Sequence, residues 1–228
     1  MMSSDIRPKR ERDAEVARKA ILDAAEEIFA EHGFDGARID AIAAASGYNK
    51  SLIFHYFDDK LGLYTAVLKR IDQQGNELQA IMLGPLLADE KLTSDANKFR
   101  TFVEIVIRWI FDYMIENPRV LRMLVWEAAE GWQTIKKIAS LFNTDDVKLF
   151  REILSRAQEA RLIRPGTDPY MMFLMAITTC MSYPIFTPYL EIAFKDEDLS
   201  SPDALVRARE MIVDFVVHGI MVDPEQAK

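Results

Sequence analysis

Residues 37–60 read ARIDAIAAASGYNKSLIFHYFDDK, and the reading of this stretch decides the fold. Ile39, Ile42 and Ala43 recur three and four residues apart, the spacing of one helical face. In the Ala-Ser-Gly-Tyr that follows, only Gly47 enters a left-handed turn without a Cβ penalty. Asn49 is placed to cap a second helix, its side-chain oxygen accepting from a backbone N–H two or three residues on. Ile53, Tyr56 and Phe57 give that helix an inward stripe, while Lys50, Ser51, Leu52, Phe54 and His55 point elsewhere. The pattern predicts a helix-turn-helix, whose second helix places its N-terminal residues at base edges in the DNA major groove.

Working outward, 13–32 predicts a preceding amphipathic helix with Ile21, Ala25, Ile28 and Phe29 on one face, ended by Gly33. Residues 60–82 predict a following helix carrying Leu63, Val67, Leu68, Ile71 and Leu78, which Gly84-Pro85 is expected to break. Further helices are predicted over 93–116, 118–130, 132–142, 145–162, 169–190 and 203–221. Met1–Arg12, with Arg7, Lys9, Arg10 and Arg12, is expected to be a disordered basic tail; an arm contacting the minor groove is the alternative. The expectation is therefore all-α, with a basic tail (1–12), a helix-turn-helix DNA-binding domain (13–58), a connecting helix (59–83) and a C-terminal helical domain (84–228).

At 228 residues, half of them apolar and 28% charged, the chain has the composition of a soluble globular protein. Cys180 is the sole cysteine, so an intramolecular disulfide and a cysteine-based metal cluster are excluded, and a reducing cytoplasm is the expected compartment. No phosphate loop, G-x-S-x-G or H-E-x-x-H appears, and His32, His55 and His218 lie far apart. An enzyme is the least supported class, and neither cofactor nor metal is implied. The net charge of −8 divides into −2 over residues 1–75 and −6 over the rest, so DNA binding has to rest on the placement of charge rather than its total. Residues 169–190 contain no charge and are long enough to span a membrane. Pro184, Pro188 and the interrupting hydroxyls favour a buried interface helix instead, with no membrane as partner.

Residues 14–70 resemble the N-terminal domain of the TetR family of bacterial transcriptional repressors. The likeness is carried by AILDAAEEIFAEHGFDGARIDAIAAASGYNKSLIFHYFDDKLGLYTAVL: the Ala-rich first helix to Phe29, Gly33-Phe34, Ile42-Ala43, Gly47, and the aromatic run ending at Phe57 with Lys60 and Leu63 beyond. The resemblance implies that Lys50, Ser51 and Leu52 face the bases. Phe54 stands where the family commonly has Tyr, so a thymine methyl replaces a phosphate bond. Tyr56 and Lys60 match phosphate-contacting positions, Tyr48 packs or touches the backbone, and Arg38 stands in for the Ser or Thr usual beside Ala37. A homodimer on a palindromic operator is implied, 145–162 and 169–190 forming its four-helix bundle; the candidate interface is Phe150, Ile153, Leu154, Ala157, Phe173, Leu174, Ile177 and Met181. The Met and aromatic content of the C-terminal domain suits an apolar or aromatic small-molecule effector. Candidate lining residues are Phe102, Trp109, Tyr113, Met123, Trp126, Met175 and Thr179; Glu104 and Glu127 are expected as solvated helix charges, with contact to a cationic ligand as the alternative. The alternative is a helical small-molecule-binding or scaffold protein that has no operator.

Overall fold

The computed structural model describes residues 9–142, 144–195 and 198–222. Among them run α1 (Lys9–Gly36), α2 (Ile39–Ser46), α3 (Lys50–Phe57), α4 (Lys60–Leu87), α5 (Ala96–Glu116), α6 (Pro118–Ala129), α7 (Gln133–Ile138), α8 (Asp145–Glu159), α9 (Pro169–Ala193) and α10 (Pro202–Ile220). A single 3-10 turn, Ala139–Leu141, and one isolated antiparallel bridge, Ile163–Met221, complete the described residues. The fold is all-α, as the pattern predicted.

Two compact units divide the chain. One takes the residues up to Asn76 together with Arg119–Phe142; the other takes Glu77–Pro118 and the chain after Phe142. This division differs from the sequence-based boundaries at 58/59 and 83/84. The seam lies inside α4, and residues 119–142, assigned above to the C-terminal domain, fold with the helix-turn-helix. Burial is the reason: Met123 and Ile138 enter the same core as Ile21, Phe29, Ile42, Ile53, Phe57 and Leu63.

The inward stripe of α1 is Ala17, Ile21, Ala24, Ala25 and Phe29. The helix begins at Lys9, so residues 9–12 are helical rather than part of a disordered tail; Arg7 lies outside the described residues. Gly33 interrupts it with φ 69°, and a Cβ there would stand 3.0 Å from Trp126 Cδ2, so conformation and close approach both require glycine. Arg70 ties α4 to α1 through Asp23 (2.6 Å) and Glu26 (2.5 Å).

In the second unit α5 is central. Its Phe99, Phe102, Val103, Val106, Ile107, Ile110 and Phe111 are buried with Ile153, Leu154 and Ala157 of α8, Met172, Ala176 and Cys180 of α9, and Val213, Val216 and Val217 of α10. Burial pushes the Cys180 thiol up to about 12, which leaves it protonated and unreactive at neutral pH. Several helix ends differ from expectation for local reasons. Gly84-Pro85 does not break α4, because Leu83, Leu86 and Leu87 pack onto the core and hold the turn around Pro85. The cap of α5 is Asp95, which accepts from the N–H groups of Asn97 and Lys98, rather than Thr93 or Ser94. The helix expected over 132–142 is shortened to α7 and the 3-10 turn, and α8 stops at Glu159.

Nor do Pro184 and Pro188 break α9, since Met172, Ala176, Cys180 and Thr187 anchor it along its length. It is the one helix among the described residues long and apolar enough to cross a membrane, yet only 22% of its most apolar window is buried. Tyr170, Leu174, Met175, Phe186, Tyr189 and Ile192 stay exposed on it, as do Val206, Met211 and Phe215 on α10. The eight residues expected at a dimer interface differ in their exposure within the single chain. Ile153, Leu154 and Ala157 are consumed by the core, and Phe150, Phe173, Ile177 and Met181 are half-buried, so Leu174 alone of the eight is exposed. Of the apolar stripe of α8, Ile153, Leu154 and Ala157 are buried, Phe150 is half-buried and Val147 stays exposed.

Candidate nucleic-acid interface

The turn between α2 and α3 is built by short-range bonds. Gly47 adopts φ 75°, ψ 10° and donates its N–H to the Ala43 carbonyl at 3.1 Å, while Ser46 Oγ donates to the same carbonyl at 3.3 Å. Asn49 Oδ1 accepts from the Leu52 N–H at 2.9 Å and caps α3, as its position predicted. Arg38 occupies the cap position of α2 but makes no side-chain cap bond, and Ala37 is buried one residue earlier. At the far end Asp58 (φ 63°) turns the chain, and Asp59 Oδ1 accepts from the Gly62 N–H at 2.7 Å to cap α4.

Ile53 and Phe57 anchor α3 in the core, fixing which residues it presents. Arg38, Lys50, Ser51 and Phe54 are exposed, whereas Tyr48, Leu52 and Tyr56 are half-buried and pack against the core of the unit. Lys60 sits differently from a free phosphate ligand. Its ammonium donates to the Asp35 carbonyl at 3.1 Å and lies 4.8 Å over the Phe34 ring; partial burial lowers its pKa, against the pull of Asp35 and Glu130. The surface can nevertheless set an exposed cation and hydroxyl, on the N-terminal turn of a capped helix, against a polyanion.

Sequence reasoning missed three residues here. Asp40, exposed on α2, pairs with the Lys50 ammonium across ten residues, a contact no spacing rule foretells. Asp59 was legible as an N-cap and was overlooked. Glu127, expected as a solvated charge, is buried: Tyr64 Oη donates to its Oε1 at 2.9 Å and the Ile135 N–H to its Oε2 at 3.2 Å. Burial, then the bond to Glu127, raises the Tyr64 pKa far above the usual phenol range. Asp40 yields a prediction. Asp40→Asn removes a like charge facing phosphates and frees Lys50, so duplex affinity should rise about fivefold and the salt slope steepen by about one. Fluorescence anisotropy across a salt series checks this; an unchanged affinity and slope would show that the pair does not matter in the complex.

The second unit carries an open groove of about 400 Å³ between α4 and α5, with Leu78, Met82, Ile105, Trp109 and Tyr113 as its apolar wall. Trp109 and Tyr113 are thus brought together (ring centroids 5.8 Å), but the other candidate lining residues are not. Phe102 is in the core, Met175 is exposed on α9 and Thr179 is half-buried; Met123 and Trp126 belong to the first unit, Met123 within its core.

Comparison with known proteins agrees with this architecture. Residues 21–67 match the family model described as bacterial regulatory proteins, tetR family, and residues 100–216 match the tetracyclin repressor-like C-terminal domain. The chain is 25% identical over 213 residues to the transcriptional repressor NicS of Pseudomonas putida, covering 92% of this chain and 95% of that one. It is 28% identical over 187 residues to the transcriptional regulator RutR of Escherichia coli, covering 80% and 81%. Among solved structures it shares its fold with Bacillus subtilis FadR in complex with stearoyl-CoA (TM-score 0.60, 19% identity, 89% of this chain and 98% of that one). The SmeT–triclosan complex is similar to the same degree (TM-score 0.60, 19% identity, 91% and 93%). With a helix-turn-helix matched at one end and the regulatory domain over half its length, the chain belongs to the TetR family and is a DNA-binding transcriptional regulator.

Proposed function

We propose that this regulator is a cytoplasmic homodimeric repressor, not an enzyme, released from a palindromic operator by a small apolar or aromatic effector. The observation that carries the DNA half is the exposed tip of α3, where Lys50 and Ser51 stand on a helix capped by Asn49 and anchored by Ile53 and Phe57. Arg38 and Phe54 flank them, with Tyr48, Leu52 and Tyr56 behind. Two copies would read half-sites about one helical turn apart. Lys50→Ala should relax base preference at one position by roughly 1–3 kcal/mol. Lys60→Ala should weaken binding alike on all sequences. Selection of sites from random duplexes, followed by titration of both variants, tests this; parental binding by both would remove the motif assignment, and no salt-dependent binding to any duplex would favour a scaffold.

We place the dimer interface on α9 and α10. Leu174, Phe186 and Tyr189 on α9 and Met211 and Phe215 on the neighbouring α10 are all exposed large apolar side chains, which favours burial against a second copy. Phe215→Asp with Phe186→Asp should yield monomers in analytical ultracentrifugation and lower operator affinity about a hundredfold, since the two half-sites are then bound independently. A dimer persisting in the double variant would move the interface elsewhere.

The effector half is supported by the α4–α5 groove and by relatives whose structures hold stearoyl-CoA and triclosan. Because α4 runs from the helix-turn-helix into the groove wall, it is the element through which occupancy would bias the separation of the recognition helices. Such coupling is typically worth about 1–3 kcal/mol and requires different effector affinities for the two states.

A further inference from the structure

We propose that the groove between α4 and α5 takes an amphipathic organic cation, an ammonium on an aromatic or short alkyl body, and discriminates against carboxylates and acyl thioesters. The inference rests on the reading of the chain as an effector-released regulator and names the class of effector.

Space comes first. Between α5, α8 and α9 the interior of the second unit leaves about 20 Å³, room for about one water, because Val106, Ile110, Leu154, Met172 and Phe173 fill it. The α4–α5 groove, at about 400 Å³, falls within the range of small-molecule sites, about 300–1,000 Å³. Its wall supplies the body of a ligand with Leu78 and Met82, which are otherwise exposed, and with the paired rings of Trp109 and Tyr113.

Charge then selects the head group. Among the described residues Arg108 is the one cation lining the groove, and its guanidinium is already held: Nε and Nη2 donate to Glu210 (2.8–3.2 Å) and Nη1 to Glu104 (3.3 Å). Arg209 donates through Nη1 to both Asp112 oxygens (2.9 and 3.1 Å) and through Nε to Glu210 (3.1 Å). The bond from Arg108, with that from Arg209, holds the Glu210 carboxyl below its usual range. Two guanidiniums thus face three carboxylates, and Glu116 adds a fourth at the rim. An incoming anion meets guanidiniums already paired with carboxylates, and surplus negative charge. An incoming ammonium meets Asp112, Glu116 and two aromatic faces, and the rings favour a cation by about 0.5–2 kcal/mol in their own right.

Three probes sharing one body separate the classes: protonated 4-butylbenzylamine, 4-butylbenzyl alcohol and 4-butylbenzoate, titrated into the full-length protein by calorimetry and by tryptophan fluorescence. The ammonium should bind at least tenfold more tightly than the benzoate, and Trp109→Phe should abolish the fluorescence change while Trp126 and Trp132 remain. Glu116→Gln and, separately, Asp112→Asn should each lower ammonium affinity severalfold without moving that of the alcohol; Glu116 is exposed and outside the Arg108–Arg209 network, so its variant folds as the parent does. Benzoate binding equal to or tighter than ammonium binding, or Glu116→Gln and Asp112→Asn both without effect, overturns the proposal, as does binding of none of the three. Duplex binding by the effector-free protein is measured alongside: if it is present and the probes fail, the ligand class is wrong and the regulator reading stands; if it is absent, that reading fails separately.

Discussion

Gly62→Ala is expected to destabilise the first unit by about 2 kcal/mol and to cost at least tenfold in duplex affinity. A Cβ on Gly62 would lie 2.0 Å from the Phe57 carbonyl oxygen, well inside contact distance, and the obstructing atom is backbone rather than a side chain that can swing away. Alanine is the better helix former by about 1 kcal/mol, so propensity alone predicts the opposite sign. The clash prevails because relief requires α4 to move away from the end of α3, and the Asp59–Gly62 cap and the buried Phe57 resist that movement. Since Phe57 closes the recognition helix, the displacement reaches Lys50 and Ser51. Gly84→Ala provides the contrast in the same helix: a Cβ there meets nothing within 4 Å, and the substitution should stabilise by about 0.5–1 kcal/mol. Urea titrations of both variants, with duplex binding measured on the first, check the pair. Equal stabilities would mean that the approach of Gly62 to Phe57 is not a constraint.

Glu127→Ala should cost about 3–5 kcal/mol. The substitution strands two donors inside the protein, the Tyr64 hydroxyl and the Ile135 N–H, and each buried unsatisfied group costs about 1–3 kcal/mol. A cavity left by the truncated side chain adds to this. Tyr64 is itself packed edge-on to Phe29 at 4.8 Å and against Phe34 at 5.1 Å, so it cannot turn toward solvent to find another partner. Glu127→Gln keeps one acceptor oxygen and should lose roughly half as much. Chemical denaturation followed by circular dichroism distinguishes the two; a loss under about 0.5 kcal/mol for the alanine variant would show that the carboxylate does not bridge α4 and α7.

How far the sequence could be read depended on whether an interaction was local. Gly47, Asn49 and the stripe of Ile42, Ile53 and Phe57 act within a few residues of one another, so their spacing carried the helix-turn-helix and its exposed tip. Asp59 was equally local and was readable as a cap. The helix end at Gly84-Pro85 was misread because intrinsic propensity opposes continuation by a few kcal/mol, whereas packing of the neighbouring turns onto a core outweighs it.

By itself, the amino-acid order determined the all-α class, the turn at Gly47 and the burial of Ile53 and Phe57 beneath α3, whereas Leu52, expected to point away, packs against the core of the unit. Tertiary structure alone decided that Asp40 holds Lys50, that Glu127 is buried against Tyr64, that 119–142 folds with the reading head, and that α9 and α10 keep an uncovered apolar face. The physical reason is one of range. A periodic stripe says that a helix will bury one side, but the identity of the surface it meets is settled by contacts between residues many tens of positions apart, for which spacing carries no signal.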